Sequence, residues 1–100
     1  MVGLGGTMVE LMSDVIHRPA PVNAAEATEM LRRLKSAKLL EGFRGAKPID
    51  LAPASELIAN LSQAALAYRD SISEMELNPV ILHADGSGLT IADALIMLRG

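Results

Sequence analysis

The chain contains no cysteine and no tryptophan, and Phe43 and Tyr68 are its only aromatic residues. Without thiols it has neither disulfides nor thiolate chemistry, a composition in keeping with the cytoplasm, which is the expected compartment. Basic charge is also scarce, since nine Lys and Arg against twelve Asp and Glu leave a net charge of -3. A surface of that sign offers little to a phosphate backbone, and two aromatics cannot build a base-stacking platform, so no nucleic-acid partner is expected. No apolar run reaches the roughly 18 residues of a membrane span, and the N-terminus lacks the basic flank and apolar stretch of a signal peptide.

Hydrophobic residues, by contrast, make up 50% of the 100 residues. That is enough for one modest core, so residues 1–100 read as a single domain. The glycine-rich opening Gly3-Leu4-Gly5-Gly6 lacks the GxxxxGK[ST] pattern of a phosphate loop and precedes a predicted strand over 7–12, which puts Met8, Glu10 and Met12 on one face. A second extended stretch over 14–21 ends at Pro19 and Pro21, which cannot donate ladder hydrogen bonds and so mark a sheet edge.

Asn23 with Glu26 three residues later forms a capping-box pattern, and Ala27, Met30, Leu31, Leu34 and Lys38 follow at helical spacing. Early Glu26 and Glu29 and late Arg32, Arg33, Lys35 and Lys38 suit the helix dipole. Gly42 is a stop. A second helix starts near 50–53, ends around Asp70, and is expected to bury Leu57, Ile58, Leu61, Ala65 and Tyr68 along one stripe. Two strands follow, 75–83 and 89–94, separated by Asp85-Gly86, a two-residue hairpin signal because both turn positions favour positive φ. The pattern is α+β: a mostly antiparallel sheet with two main helices.

With Asp85 and Gly86 as the turn, Ala84 pairs with Ser87 and Asn78 faces Asp93. Directly opposed side chains of an antiparallel pair share a face, and Glu76, two residues before Asn78, points the same way. Three oxygen-bearing side chains therefore converge beside Val80, Leu82, Leu89 and Ile91. Carboxylates and amides are the hard oxygen ligands that Mg²⁺ takes, with water and substrate phosphates filling the remaining positions. A plainer account stands beside this one, in which Glu76 and Asp93 are ordinary charges at strand ends and Asn78 is a turn-prone residue before Pro79. A slip of one residue would also scatter the three.

The segment Glu74-Met75-Glu76-Leu77-Asn78-Pro79-Val80, followed by Ile91-Ala92-Asp93-Ala94, resembles the closing hairpin of the ATP-grasp domain in NDP-forming acyl-CoA synthetases. The opening stretch from Gly3 through Glu10 to Val15 and the segment Leu39-Leu40-Glu41-Gly42-Phe43-Arg44-Gly45 are similar to further family motifs, in the same order and with similar spacing. The resemblance covers nearly the whole chain and embraces ADP-forming acetate-CoA ligases, more distantly succinyl-CoA synthetase β subunits, and a related group of protein acetyltransferases. It implies the C-terminal subdomain of an ATP-grasp fold, with ATP or ADP and Mg²⁺ as cofactors. Asn78 and Asp93 match magnesium-binding positions with Glu76 beside them, although many members carry aspartate at the position of Glu76. In the family the metal bridges nucleotide phosphates while a phosphoryl group passes between nucleotide, an enzyme histidine and an acyl phosphate captured by coenzyme A.

The resemblance turns Glu10 toward the nucleotide cleft, against the plain alternative of a solvated strand carboxylate. Arg44 and Lys47 carry the charge to contact phosphate or acyl substrate, Arg44 through a bidentate guanidinium, against the alternative of a solvated loop. Arg18 reads as an edge-strand charge, and His17 and His83, outside any family motif, as surface residues. No residue of the chain is expected to be catalytic. The lysines and adenine-contacting segment of an ATP-grasp site are expected before Met1, and the coenzyme A-binding and histidine-bearing domains elsewhere in the same polypeptide or in another subunit. The chain is thus expected to be part of an acid-thiol ligase, inactive alone, with an apolar patch that promotes self-association. The competing expectation is a non-catalytic interaction or regulatory module.

Overall fold

The computed structural model describes residues 1–4, 14–42, 47–83 and 85–100. The predicted strand over 7–12, with Glu10, and the loop residue Arg44 lie outside them. Helix α1 (Ala24–Arg32) begins at the capping box read from the sequence. Asn23 Oδ1 accepts the Glu26 N–H at 2.8 Å, and Glu26 Oε1 accepts the Asn23 N–H at 3.2 Å. Replacing Asn23 with alanine is expected to lower the unfolding free energy by about 1 kcal/mol, measured by urea denaturation.

The helix stops six residues before the expected Lys38, and a tertiary contact is the reason. Asp14 reaches in to accept the N–H groups of Lys35 at 2.7 Å and Ser36 at 3.0 Å, which a continuing helix would direct at the carbonyls of Leu31 and Arg32. The chain tightens instead into a 3₁₀ turn (Ala37–Leu39), and Gly42 follows with φ +93°. Arg18, expected as a lone edge charge, braces α1 from outside, 3.8 Å from Glu26 and 3.6 Å from Glu29.

Helix α2 (Ala52–Ala67) carries Pro53 in its first turn, where the missing N–H costs no hydrogen bond. Asp50 Oδ1 accepts the Ala52 N–H at 3.0 Å. Leu57, Ile58, Leu61 and Ala65 are half-buried as expected, but Tyr68 is exposed, because the helix has already ended there and Tyr68 forms its C-cap. Met30, Leu31 and Leu34 are buried as read, and with Val22, Ala27, Ala37 and Ala54 they form the core between the helices. A part-buried polar contact lies beside them: the Thr28 and Ser55 hydroxyls are 2.5 Å apart. The Ser62 hydroxyl meets the Val22 N–H at 2.9 Å, tying the entry of α1 to α2.

The strands form three two-stranded antiparallel pairs among the described residues, where one continuous sheet was expected. Strands β1 (Val2–Gly3) and β2 (Val15–Ile16) cover the core; the second extended stretch is thus shorter than expected. Gly3 is required there, because a Cβ would stand 2.9 Å from Val15 Cγ1 and 3.0 Å from the Asp14 carbonyl. Strand β3 (Ile72–Leu77) pairs with β6 (Ala94–Leu98), and β4 (Val80–Leu82) with β5 (Leu89–Ile91). The second pair reaches the core through Leu82, while the β3–β6 ribbon contributes no residue to either core cluster.

Candidate functional site

The single hairpin read from the sequence is therefore two ladders separated by Asn78-Pro79 on one side and Ala92-Asp93 on the other. Proline has no N–H to give a ladder, and the peptide bond before Pro79 is cis. Pairing nevertheless continues across the break: the Asn78 N–H donates to the Asp93 carbonyl at 3.1 Å, and the Ala92 N–H to that of Pro79 at 3.0 Å. Asn78 thus lies opposite Asp93, in the register that the sequence predicted. Leu77 opposite Ala94 and Val80 opposite Ile91 keep that register on both sides.

The turn differs from expectation. Ser87 donates its N–H to Asp85 Oδ1 at 2.9 Å rather than across the hairpin, and the closing bond runs from the His83 N–H to the Gly88 carbonyl at 2.9 Å. Ala84, its expected partner, lies outside the described residues. The loop is longer by one residue on each side, so the parity of opposed pairs survives. Gly86 at φ +82° and Gly88 at φ +103° occupy the left-handed region that favours glycine.

Glu76, Asn78 and Asp93 line one open depression of about 430 Å³, together with Ala94 and Leu95. The expected aliphatic neighbours Val80, Leu82, Leu89 and Ile91 do not line it. Half-buried positions run Met75, Leu77 before the proline and Val80, Leu82 after it, a step of three where a continuous strand steps by two. The break shifts the pleat, turning Leu82 of β4 toward the core and leaving the three polar residues exposed.

Two exposed carboxylates and an amide beside one opening would repel a polyphosphate of like charge and attract a small hard cation. Asp93 Oδ1 accepts the Ala94 N–H at 2.8 Å, which fixes the carboxylate and leaves its second oxygen uncommitted to that bond. Among the described residues no three His, Cys, Asp or Glu side chains come together to hold a metal. A cation here would need the Asn78 amide oxygen as its third protein ligand. The donor set fits Mg²⁺, which takes few protein oxygens and keeps water or substrate in its other positions.

The remaining candidates among the described residues fall outside the depression. His17 is exposed as read, and His83 is half-buried with Nε2 2.6 Å from Thr90 Oγ1. Sequence reasoning missed Asp14, which is 4% exposed. Its neighbours hold the carboxyl below the usual aspartate range, the Ser36 hydroxyl foremost, with the Lys35 and Ser36 N–H groups and the Lys35 charge outweighing the opposing effect of burial. Asp14 closes off α1 and touches no part of the depression. Only its place in the Ser13-Asp14-Val15 stretch hinted at a role.

Residues 1–98 match the ATP-grasp domain family, and the chain belongs to it. It is 42% identical over 98 residues to the ADP-forming 4-hydroxybutyrate-CoA ligase of Nitrosopumilus maritimus, covering 98% of this chain and 14% of that protein. Over 100 residues it is 36% identical to the β subunit of ADP-forming acetate-CoA ligase II of Pyrococcus furiosus, covering all of this chain and 42% of that subunit. Among solved structures, acetyl-coenzyme A synthetase 1 of Ca. Korarchaeum cryptofilum, in complex with coenzyme A and Mg-AMPPCP, superposes with a TM-score of 0.86 at 39% identity, over 97% of this chain and 44% of that one. A Pyrococcus horikoshii structure gives a TM-score of 0.89 at 33% identity, over 97% and 40%. The chain thus spans less than half the length of these relatives, matching the ATP-grasp region of ADP-forming acyl-CoA synthetases.

Proposed function

We propose that the chain is the C-terminal portion of the ATP-grasp domain of an NDP-forming acyl-CoA synthetase and contributes the magnesium-nucleotide site used in phosphoryl transfer between ATP and an acyl-CoA. One observation carries the reading: in a chain of this family, the register puts Asn78 opposite Asp93, with Glu76 lining the same open depression. The relatives point the same way, one of them solved with Mg-AMPPCP and others ADP-forming ligases.

In this reading Asp93, held by the Ala94 N–H, and Asn78, held by its own backbone pairing, are the fixed ligands, and Glu76 is the adjustable one on its longer side chain. A bound Mg²⁺ would supply neutralisation of the nucleotide phosphates. Glu10 and Arg44, outside the described residues, are assigned to the nucleotide side on family resemblance. The rest of the ATP-grasp domain and the coenzyme A-binding domains come from the same polypeptide or a second subunit, in the cytoplasm. No helix among the described residues is long and apolar enough to cross a membrane.

Manganese in place of magnesium gives a direct test by electron paramagnetic resonance. The chain assembled with the remainder of an ATP-grasp domain is expected to immobilise Mn²⁺ with a nucleotide, and the Asn78→Ala plus Asp93→Ala variant to release it. Full nucleotide-dependent activity in the assembled double variant would remove the metal assignment. The hundred residues alone are expected to form no acyl-CoA.

A further inference from the structure

The three oxygen-bearing residues of the depression are not held alike. Asp93 Oδ1 accepts the Ala94 N–H at 2.8 Å, and Asn78 is anchored through its backbone, whose N–H donates to the Asp93 carbonyl at 3.1 Å. Both side chains are short. Glu76 has three rotatable bonds, and among the described residues no hydrogen bond or ion pair holds its carboxylate. An acid that must meet a cation gives up its rotamer freedom on binding, and glutamate is among the side chains with most to lose.

Leu95 stands where that freedom can be limited. The β3–β6 ladder keeps one register from Glu74 opposite Met97 to Leu77 opposite Ala94, which places Leu95 directly opposite Glu76. Opposed side chains of an antiparallel pair share a face, with Cβ atoms about 4.5 to 5.5 Å apart. Both residues line the depression. Glu76, Asn78, Asp93 and Leu95 are thus four corners of one face, three carrying oxygen and one hydrocarbon. A leucine there offers neither ligand nor charge; it offers bulk against the Glu76 methylenes. Leu95 belongs to neither core cluster, so core packing does not account for it. Its neighbour Ile96, opposite Met75, points to the other face.

We propose that Leu95 is a positioning residue for Glu76, packing along its methylenes so that the carboxylate is held toward Asn78 and Asp93. The metal role of Glu76 rests on the function proposed above, whereas the restraint by Leu95 does not. A ligand aimed before the cation arrives has less order to acquire on binding, which is the general advantage of preorganisation.

A double-mutant cycle in the assembled ATP-grasp domain tests this. Leu95→Ala is expected to weaken Mn²⁺-nucleotide binding about tenfold when Glu76 is present and less than about twofold in the Glu76→Ala background. Leu95→Met, which keeps the bulk, is expected to hold the affinity, and Ile96→Ala on the other face to change it less than about twofold. Equal loss from Leu95→Ala in both backgrounds overturns the proposal, as does no loss in either, or a loss that Ile96→Ala matches. Side-chain scalar couplings of Glu76 in the chain alone, free of metal and nucleotide, give a second measurement that needs no assembly. The wild type is expected to hold one dominant χ1 rotamer and Leu95→Ala to average over the staggered wells. Averaging in both, or the same single rotamer in both, overturns the proposal. Where the assembled wild type binds Mn²⁺, the cycle decides. Where it does not, the function proposed above falls and the rotamer measurement decides.

Discussion

Replacing Asp93 with alanine is expected to weaken Mn²⁺-nucleotide binding by the assembled domain on the order of 100-fold or more, with little change in folding. Outer-sphere partners of a bound metal are commonly worth about 10- to 100-fold in affinity, and a directly ligating carboxylate stands at or above that range. The effect on folding is small because the carboxylate is exposed and, among the described residues, its one side-chain hydrogen bond is to the adjacent Ala94 N–H. The backbone bond from Asn78 to the Asp93 carbonyl survives the change. Asn78→Ala is expected to act in the same direction, since it removes the neutral oxygen that makes three ligands of two carboxylates. Glu76→Asp, which shortens the side chain and keeps the charge, is expected to retain most of the affinity. Calorimetric titration with a Mg²⁺-nucleotide analogue separates the three. Equal affinity in all of them would place the metal elsewhere.

The second large effect is on folding. Asp14→Ala is expected to lower the thermal midpoint by roughly 10 °C, because the Lys35 and Ser36 N–H groups lose their acceptor beside the buried Leu34. Asp14→Asn is expected to recover only part of the loss: one oxygen still accepts, but the amide NH₂ faces groups that are themselves donors. The pH dependence has a definite sign. A carboxyl held below the ordinary aspartate value of 3.8 in the folded state contributes stability that is complete above that value and is lost as pH falls through the depressed folded value. The stability gap between wild type and Asp14→Asn should therefore be flat from neutral pH down to about 4 and narrow below it. Circular-dichroism melts across that range check it; a gap that widens in acid would contradict the assignment.

Asp14 also shows what sequence reasoning leaves out. The capping box at Asn23 and Glu26 is local, written in four consecutive residues, and it formed as read. The end of the same helix is not local. Residues 33–38 have helical spacing and suitable charge, and a carboxylate some twenty residues earlier takes the N–H groups that would have continued the helix. Tyr68 failed for a related reason: its spacing continues the apolar stripe, but the helix has ended by then.

The hairpin divides along the same line. Its register was legible because pairing parity survives a loop lengthened equally on both sides, so Asn78 faces Asp93 whether the turn holds two residues or four. The surroundings of the site were not legible, since the alternation rule presumes an unbroken pleat and Asn78-Pro79 interrupts it. By itself, then, the sequence determined the two helices, the hairpin register and the shared opening of Glu76, Asn78 and Asp93, all set by contacts within a few residues or by strict periodicity. Only the tertiary structure decided where α1 stops and which side of the hairpin meets the core. Each of those depends on partners distant in the chain.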